Sequence, residues 1–240
     1  METPFSRTEL IYGADALPLL SSLHIAVFGV GGVGSYAAEA LARTGVGELT
    51  LVDFDEIAAS NLNRQLPALT STIGKSKVDV MAKRLVDINP ELIVHPIAER
   101  FDLKTSQKLL EPHYDFVLDC IDMVSSKIHL IETCIAKETP IISSMGMASH
   151  KDPGKIQVSD ISKTHMCPLA KVMRRELKNR GIGHLPVVFS TEEVTLPYKK
   201  VFSESGKQIN GSLAFVTGVA GMYMAAYVLN NVLGSKKSIL

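Results

Sequence analysis

Short apolar runs alternate with amphipathic stretches over the first two thirds of the chain. The apolar runs predict strands at 24–28, 48–53, 92–97, 115–119 and 140–144. The stretches between them predict helices at 33–44, 75–88, 103–111 and 124–137. This alternation favours an α/β fold with a mostly parallel sheet and helices on both faces.

The pattern is looser after about residue 150. It predicts a strand at 156–160, a helix at 168–180 and an extended segment at 186–197. We expect one domain over residues 1–240, in which residues 1–147 form a core. Residues 148–240 are expected to add an α+β cap on the substrate side and a final apolar helix.

The final apolar helix has two interpretations. Residues 212–233 carry no charge and approach the length of a membrane span, and Lys236 and Lys237 follow them. Gly218 and Gly221 suit close helix packing. The pattern favours a helix buried against the sheet, and membrane association is the alternative.

Composition narrows the class of protein. The 240 residues contain 25 basic and 25 acidic side chains, so bulk charge does not attract nucleic acid, and DNA is not an expected partner. Cys120, Cys134 and Cys167 form no CxxC pair, which argues against a zinc site and a disulfide framework. The N-terminus lacks an apolar signal core, so we expect a cytoplasmic protein.

A glycine loop follows the first predicted strand. Gly29 suits a tight turn, Gly31 and Gly32 admit a phosphate close to the backbone, and Gly34 permits close packing of helix on strand. The helix that follows directs its amide groups at an anion. The loop therefore predicts a Rossmann-like nucleotide site, to which all four glycines are assigned.

Two acids end the second predicted strand. Asp53 lies 19 residues after Gly34, near the spacing of a ribose-binding acid. Asp55 is a candidate to orient a metal ion or the next loop. Either is alternatively a structural carboxylate in a strand-end turn.

Basic residues follow in an order that suits a triphosphate. Asn61 and Arg64 belong to one polar run, and a guanidinium grips two phosphate oxygens at once. Lys77 falls in the first turn of a predicted helix, where a cation is ordinarily disfavoured unless an anion is near. All three are assigned to the nucleotide site, with solvated surface cations as the alternative for Arg64 and Lys77.

A second pair of acids ends the fourth predicted strand. Asp122 is placed to hold Mg²⁺ beside phosphate oxygens, with helix capping as its alternative. Asp119 is interpreted as a structural acid. Lys127 is expected either to pair with Asp122 or to meet phosphate.

In combination these motifs resemble the ThiF/MoeB/HesA family, the bacterial relatives of ubiquitin-activating enzymes. The resemblance covers about residues 5–145 and implies adenylation of a carboxylate by ATP with Mg²⁺. It implies that Asp53 contacts the ribose, that Arg64 and Lys77 bind phosphates, and that Asp122 holds Mg²⁺. Arg7 matches an arginine that crosses a homodimer interface to the partner's ATP, so it joins Arg64, Lys77 and Asp122 as a catalytic candidate.

The last third of the chain resembles the tRNA threonylcarbamoyladenosine dehydratases within that family. The match includes the runs 152–158, 168–172 and 188–192. It implies a tRNA substrate whose threonylcarbamoyl carboxylate is adenylated and cyclised next to the anticodon. A cysteine-desulfurase sulfur-relay partner and a monovalent cation near the site are left open.

The predicted helix 168–180 offers independent support for an RNA partner. Lys171, Arg174, Arg175 and Lys178 recur at i, i+3, i+4 and i+7 and form one basic face. We assign these four residues to tRNA binding. An ordinary solvated face is the alternative.

Three other functions are weighed. An enzyme that activates the C-terminus of a ubiquitin-like sulfur carrier is the principal alternative, although such enzymes often carry CxxC motifs. A nicotinamide-dependent oxidoreductase is disfavoured by Arg64 and Lys77, and nothing favours an inactive scaffold. Cys134 and Cys167 are interpreted as structural, with a thioester nucleophile as the alternative, and His150 either faces substrate or lies in a solvated loop.

Overall fold

The fold is built on one seven-stranded sheet, as shown by a computed structural model that describes residues 4–202, 206 and 208–234. In chain order its strands are β1 (His24–Phe28), β2 (Glu48–Val52), β3 (Ile93–Ile97), β4 (Phe116–Asp119), β5 (Ile141–Ser144), β6 (Ile156–Asp160) and β7 (Pro186–Ser190). Their spatial order is β3-β2-β1-β4-β5-β7-β6, and every pair is parallel except the β6–β7 pair.

Helices connect the strands. They are α1 (Ser6–Tyr12), α2 (Ala16–Ser22), α3 (Gly34–Thr44), α4 (Lys77–Ile88), α5 (Ser106–Leu109), α6 (Val124–Ala136), α7 (Pro168–Lys178) and α8 (Ala214–Val232). A short antiparallel ladder joins β8 (Val201–Phe202) to β9 (Gln208–Ile209).

The predicted strands are confirmed. Inner parallel strands are covered on both faces, and they are therefore recognisable in the sequence as continuous apolar runs. All four residues of β4 and of β5 are buried. The prediction for α5 is wrong in its bounds, since the helix covers 106–109 and not 103–111. The Asp102 carboxylate accepts hydrogen bonds from the amides of Lys104 and Thr105, and this local turn delays the helix.

Two apolar layers cover the two faces of the sheet, as expected. One layer joins β1 and β2 to side chains of α3, α4 and α8. The other joins β4 and β5 to side chains of α6 and α7. The helices of the C-terminal region thus complete both layers.

Residues 148–234 are continuous with the core through the sheet. The stretch expected to form a cap supplies β6 and β7 to the same sheet. Helix α8 crosses α3 so closely that a Cβ on Gly221 would lie 2.4 Å from the Val33 carbonyl oxygen. The buried-helix interpretation of the apolar segment is confirmed, and no helix among the described residues is long and apolar enough to cross a membrane.

Strand order reverses between β1 and β4. From β1 the chain proceeds outward to β2 and β3, and then returns to β4 on the other side. In open α/β sheets this switch point leaves a crevice at the carboxyl ends of the strands, where ligands bind. The glycine loop lies at the carboxyl end of β1, so the fold places it at that crevice.

Candidate nucleotide site

A cavity of about 710 Å³ lies at the carboxyl edge of the sheet. Its walls come from the segments that follow β1, β2, β3, β4 and β5, and from α8 and the segment before it. The cavity is large enough for a small-molecule ligand. It brings together residues that are almost 190 positions apart, Gly29 and Thr217 among them.

The glycine loop forms one wall, and its members differ in role. Gly29 has φ +90°, and a Cβ there would lie 2.7 Å from the Cys120 carbonyl oxygen. A Cβ on Gly31 would meet only the Gln65 amide, at 3.7 Å, so the cavity is open above Gly31. A Cβ on Gly32 would lie 3.0 Å from Thr217 Oγ1, so this glycine faces α8 closely.

Gly34 does not line the cavity. A Cβ there would lie 1.8 Å from the carbonyl oxygen of Gly29, so glycine is required for α3 to begin this close to the loop. Its packing role agrees with the sequence argument. A direct contact with nucleotide has no support at this position.

Asp53 braces the loop from the end of β2. Its carboxylate accepts hydrogen bonds from the amides of Val30, at 2.7 Å, and Asp55, at 2.9 Å. Burial raises the pKa of Asp53, and the charge of Lys77 and the two amide bonds oppose that rise. The acid is therefore fixed in position at the cavity wall before any ligand enters.

Lys77 begins α4, and its ammonium group lies close to two carboxylates. Its Nζ lies 2.7 Å from Asp55 Oδ2 and 4.0 Å from Asp53 Oδ1. Only 6% of the Lys77 side chain is exposed, whereas 48% of the Asp55 side chain is exposed. A cation in the first turn of a helix is disfavoured unless an anion is near. Here the nearby anions are protein carboxylates, which hold the ammonium group at the cavity.

Asn61 ends a short 3₁₀ segment (Ala59–Asn61) along the same wall, and Arg64 lies in the turn that follows it. Arg64 Nη1 donates to the Ser60 carbonyl, at 2.8 Å, and to Asn63 Oδ1, at 2.9 Å. Asn61 Oδ1 accepts from the Ala58 amide, at 3.0 Å, which closes this turn. The turn therefore presents a guanidinium to the cavity while Asn61 stabilises its backbone.

Asp122 is exposed on the opposite wall, in the connection from β4 to α6. A carboxylate there is the kind of ligand Mg²⁺ takes together with phosphate oxygens, so the residue fits the ion. The predicted choices for Lys127 are both wrong. Lys127 Nζ lies 2.9 Å from Asp119 Oδ2 and donates to the Ile121 carbonyl, and it reaches neither Asp122 nor the cavity.

Gln65, Arg100 and Thr217 are among the cavity-lining residues to which the sequence assigned no role. Gln65 Oε1 is a buried acceptor without a hydrogen-bond partner in the part of the chain that is described, so a ligand donor fits there. Arg100 follows β3 at the carboxyl edge, and its guanidinium lies 5.2 Å from the Phe54 ring centroid. Thr217 comes from α8. The polar run that contains Arg64 could have indicated Gln65, and the end of β3 could have indicated Arg100. Thr217 lies in an apolar helix, and nothing in that stretch of sequence indicates a contact with the cavity.

The basic face of α7 is divided. Arg174 Nη1 donates to the carbonyl and hydroxyl oxygens of Thr164, at 2.7 and 2.5 Å, so this half-buried side chain has a partner within its own chain, and its assignment to RNA binding stays a prediction. Lys171, Arg175 and Lys178 are exposed. Leu169 in the first turn of α7 lines the cavity, so the remaining basic face begins near the cavity mouth.

The cysteines do not present an activated nucleophile. Burial raises the pKa of Cys120, and burial raises the pKa of Cys134 to about 12. Cys167 is buried at the start of α7, where its sulfur accepts from the Ala170 amide at 3.5 Å. His150 is also buried, so the interpretation of a solvated loop residue is wrong, and it does not line the cavity, so its substrate-facing alternative has no support.

Two comparisons define the class of protein. The chain matches the ThiF family over residues 5–239, and it therefore belongs to that family. It is similar to the tRNA threonylcarbamoyladenosine dehydratase of Bacillus subtilis, with 44% identity over 95% of this chain and 94% of that protein. The dehydratase of Escherichia coli is 35% identical over 95% of this chain and 93% of that protein.

Solved structures agree with this relationship. The E. coli dehydratase in complex with AMP has a TM-score of 0.89 and 36% identity, covering 97% of this chain and 95% of that one. The same enzyme in complex with ATP has a TM-score of 0.88 over the same shares. The expected resemblance to these dehydratases is thereby confirmed over nearly the whole chain.

Proposed function

We propose that this chain is an ATP-dependent dehydratase that acts on threonylcarbamoyladenosine next to the anticodon of tRNA. The observation that carries the proposal is the composition of one cavity. The open glycine loop, Arg64, Lys77 and Asp122 all line it, in a chain that is similar to such dehydratases along its length.

The chemistry requires activation of a poor electrophile. The threonylcarbamoyl carboxylate attacks the α-phosphorus of ATP, and pyrophosphate leaves. A nitrogen or oxygen of the same group then attacks the activated carbonyl, and AMP leaves with the oxygen of the lost water. The protein needs to position the reactants and neutralise charge, and no protein nucleophile is required.

The cavity residues divide this work. Lys77 and Arg64 neutralise phosphate charge, and the glycine loop with the first amides of α3 accepts a phosphate group. Asp53 meets the ribose. Asp122 holds Mg²⁺, which supplies additional charge neutralisation at the phosphates when it is bound.

The exposed residues Lys171, Arg175 and Lys178 bind the tRNA backbone in this proposal. Lys171 is two positions from the cavity-lining Leu169, so a substrate nucleoside in the cavity leaves its flanking phosphates near α7. Phosphate contacts of this kind weaken as salt rises. A cysteine-desulfurase partner, a monovalent cation and a cytoplasmic location stay predictions.

We also propose a homodimer in which Arg7 serves the partner's cavity. Arg7 is exposed on α1, outside the residues that line the cavity of its own chain. Arg7→Ala and Lys77→Met homodimers should each be inactive. Mixing and re-equilibrating the two should restore about a quarter of the wild-type rate, because half of the dimers are mixed and each holds one complete site. No recovery would contradict exchange of Arg7.

The central experiment offers the enzyme tRNA that carries threonylcarbamoyladenosine, with ATP and Mg²⁺. We expect the digested nucleoside to lose the mass of one water, with AMP formed in equal amount. Asp122→Ala should abolish both products while its circular dichroism and thermal midpoint match the wild type. Asp87→Ala, at an exposed acid of α4 outside the cavity, is the matched control and should keep full activity.

Two results would overturn the proposal. One is an unchanged nucleoside mass with wild-type enzyme. The other is AMP formation that depends on the C-terminus of a ubiquitin-like sulfur carrier and not on tRNA, which would favour the alternative function.

A further inference from the structure

A second cluster of potential metal ligands lies toward the amino-terminal ends of β1 and β2, away from the nucleotide cavity. His24 begins β1, Glu48 begins β2, and His95 lies in the middle of β3. Glu48 is the register partner of His24, and Thr50, two residues further on, is the partner of His95. Because side chains alternate along a strand, all four project from the same face of the sheet.

The three potential ligand atoms converge. His95 Nε2 lies 2.7 Å from Glu48 Oε1, and His24 Nδ1 lies 3.5 Å from the same oxygen. One ligand atom from each residue falls within 4.8 Å of the others. For ligands about 2.0–2.1 Å from a tetrahedral ion, neighbouring ligand atoms are about 3.3 Å apart, so small side-chain shifts would admit an ion.

The surroundings of His24 favour one ring nitrogen as the ligand. Nε2 lies 2.8 Å from Thr50 Oγ1, so the tautomer that carries its proton on Nε2 would donate to that hydroxyl. The lone pair of Nδ1 then faces Glu48. Metal-binding histidines are usually oriented by such a hydrogen bond from the second nitrogen. The Tyr114 ring packs edge-on at 4.8 Å and holds the imidazole in place.

We propose that His24, Glu48 and His95 bind one divalent transition-metal ion, with Zn²⁺ as the ion that fits best. Two imidazoles and one carboxylate suit zinc and its neighbours, whereas Mg²⁺ and Ca²⁺ prefer oxygen ligands alone. The side chains of His95 and Glu48 are 46% and 35% exposed, so an ion can enter from solvent and keep a water as its fourth ligand.

The ion would join the three strands β1, β2 and β3 at their amino-terminal half. The nucleotide cavity lies at the carboxyl ends of the strands, so this site is separate from the proposed chemistry. Loading should therefore raise thermal stability through binding to the folded state, without being required for AMP formation.

The test uses untagged, metal-free protein dialysed against Zn²⁺ in the presence of excess Mg²⁺. We expect one Zn²⁺ per wild-type chain and a higher thermal midpoint on loading. His95→Gln and Glu48→Gln should each weaken Zn²⁺ binding at least about tenfold, because each removes one of three ligands. Both positions are partly exposed, so metal-free variants should match the wild-type midpoint closely enough to be compared.

His184→Gln is the matched control. His184 is a highly exposed histidine whose Nδ1 lies 3.3 Å from Asp160 Oδ2, without a second imidazole in that pair. Its loss should leave both stoichiometry and affinity unchanged. Absence of Zn²⁺ binding by the wild type, or wild-type affinity in both His95→Gln and Glu48→Gln, would overturn the proposal. Neither result bears on the dehydratase assay.

Discussion

Two buried lysines lie on either side of the switch point, and each is paired with an aspartate. Lys77 pairs with Asp55 at the cavity, and Lys127 pairs with Asp119 beneath α6. Neither side chain of the second pair is exposed, whereas Asp55 has 48% of its side chain exposed. The two pairs have similar N–O distances, so distance does not distinguish their roles.

The difference between the pairs is access. Asp119 also accepts a hydrogen bond from the Ser143 hydroxyl, at 2.6 Å, and Lys127 donates to the Ile121 carbonyl. Both charged groups of this pair, here called the sealed pair, are therefore enclosed and bonded to protein atoms. The Lys77 pair faces a cavity that an anionic ligand can enter. We infer that the sealed pair holds β4, β5 and α6 together, and that the open pair keeps an ammonium ready for phosphate.

The largest expected effect comes from breaking the sealed pair. Lys127→Met should lower the free energy of unfolding by about 3–5 kcal/mol, because Asp119 becomes a buried charge without its cation. Denaturant unfolding measures this loss. The double variant Asp119→Asn with Lys127→Met removes both charges and should recover part of it. A loss below about 1 kcal/mol in the single variant would contradict a structural role.

Removing the open lysine should affect activity more than stability. Lys77→Met should lower the rate of ATP-dependent AMP formation by at least about 100-fold, as expected when one charge-stabilising donor is lost. Its loss of unfolding free energy should be smaller than that of Lys127→Met, because Asp55 remains in contact with water. Both variants are measured for AMP formation and for unfolding free energy. The distinction fails if the same variant shows the larger loss in both measurements.

The pH dependence of Asp53 sharpens the comparison further. Burial raises the pKa of Asp53 above its usual value of 3.8, so the folded chain holds the proton of this carboxyl more tightly than the unfolded chain. The free energy of unfolding therefore falls as the pH rises from 3.8 through the pKa of Asp53 in the folded chain. Asp53→Asn should therefore gain stability relative to the wild type as pH rises over that interval. Unfolding measured from pH 4 to pH 7 checks the slope, and a falling difference would contradict the assignment.

The smallest effect is expected at the exposed acid of the open pair. Asp55→Asn should change the free energy of unfolding by less than about 1 kcal/mol, because the Asp55 carboxylate is half-exposed and the Asp53 carboxylate still faces the buried Lys77. Denaturant titration measures it beside Asp119→Asn as the sealed counterpart. Equal losses in the two variants would show that access is not what separates the pairs.

Much of the fold was predictable because its signals are local. Val78, Met81 and Leu85 recur at helical spacing and are buried on one face of α4. The strands of a two-sided parallel sheet read as apolar runs. Asp102 shows where this fails, since its turn hydrogen bonds shorten α5 although the surrounding pattern is helical.

The candidate site was predictable where a motif lies on one continuous stretch. Three glycines of the loop, Gly29, Gly31 and Gly32, line the cavity together with Arg64 and Lys77. Thr217 was not predictable, because it reaches the cavity only when α8 packs across α3. The hydrogen bond from Arg174 to Thr164 was not predictable either, because helical spacing does not show which residue outside the helix lies beside the arginine.

The sequence by itself determined most of the strands and helices of the main sheet, the order of the motifs and the residue types available at the carboxyl edge. Only the tertiary structure decided which charges are paired. Lys127 is five positions from Asp122, yet its ammonium group is buried against Asp119 at the end of β4, where both side chains are fully enclosed. Spacing along the chain limits which groups can meet, whereas packing decides which of them do.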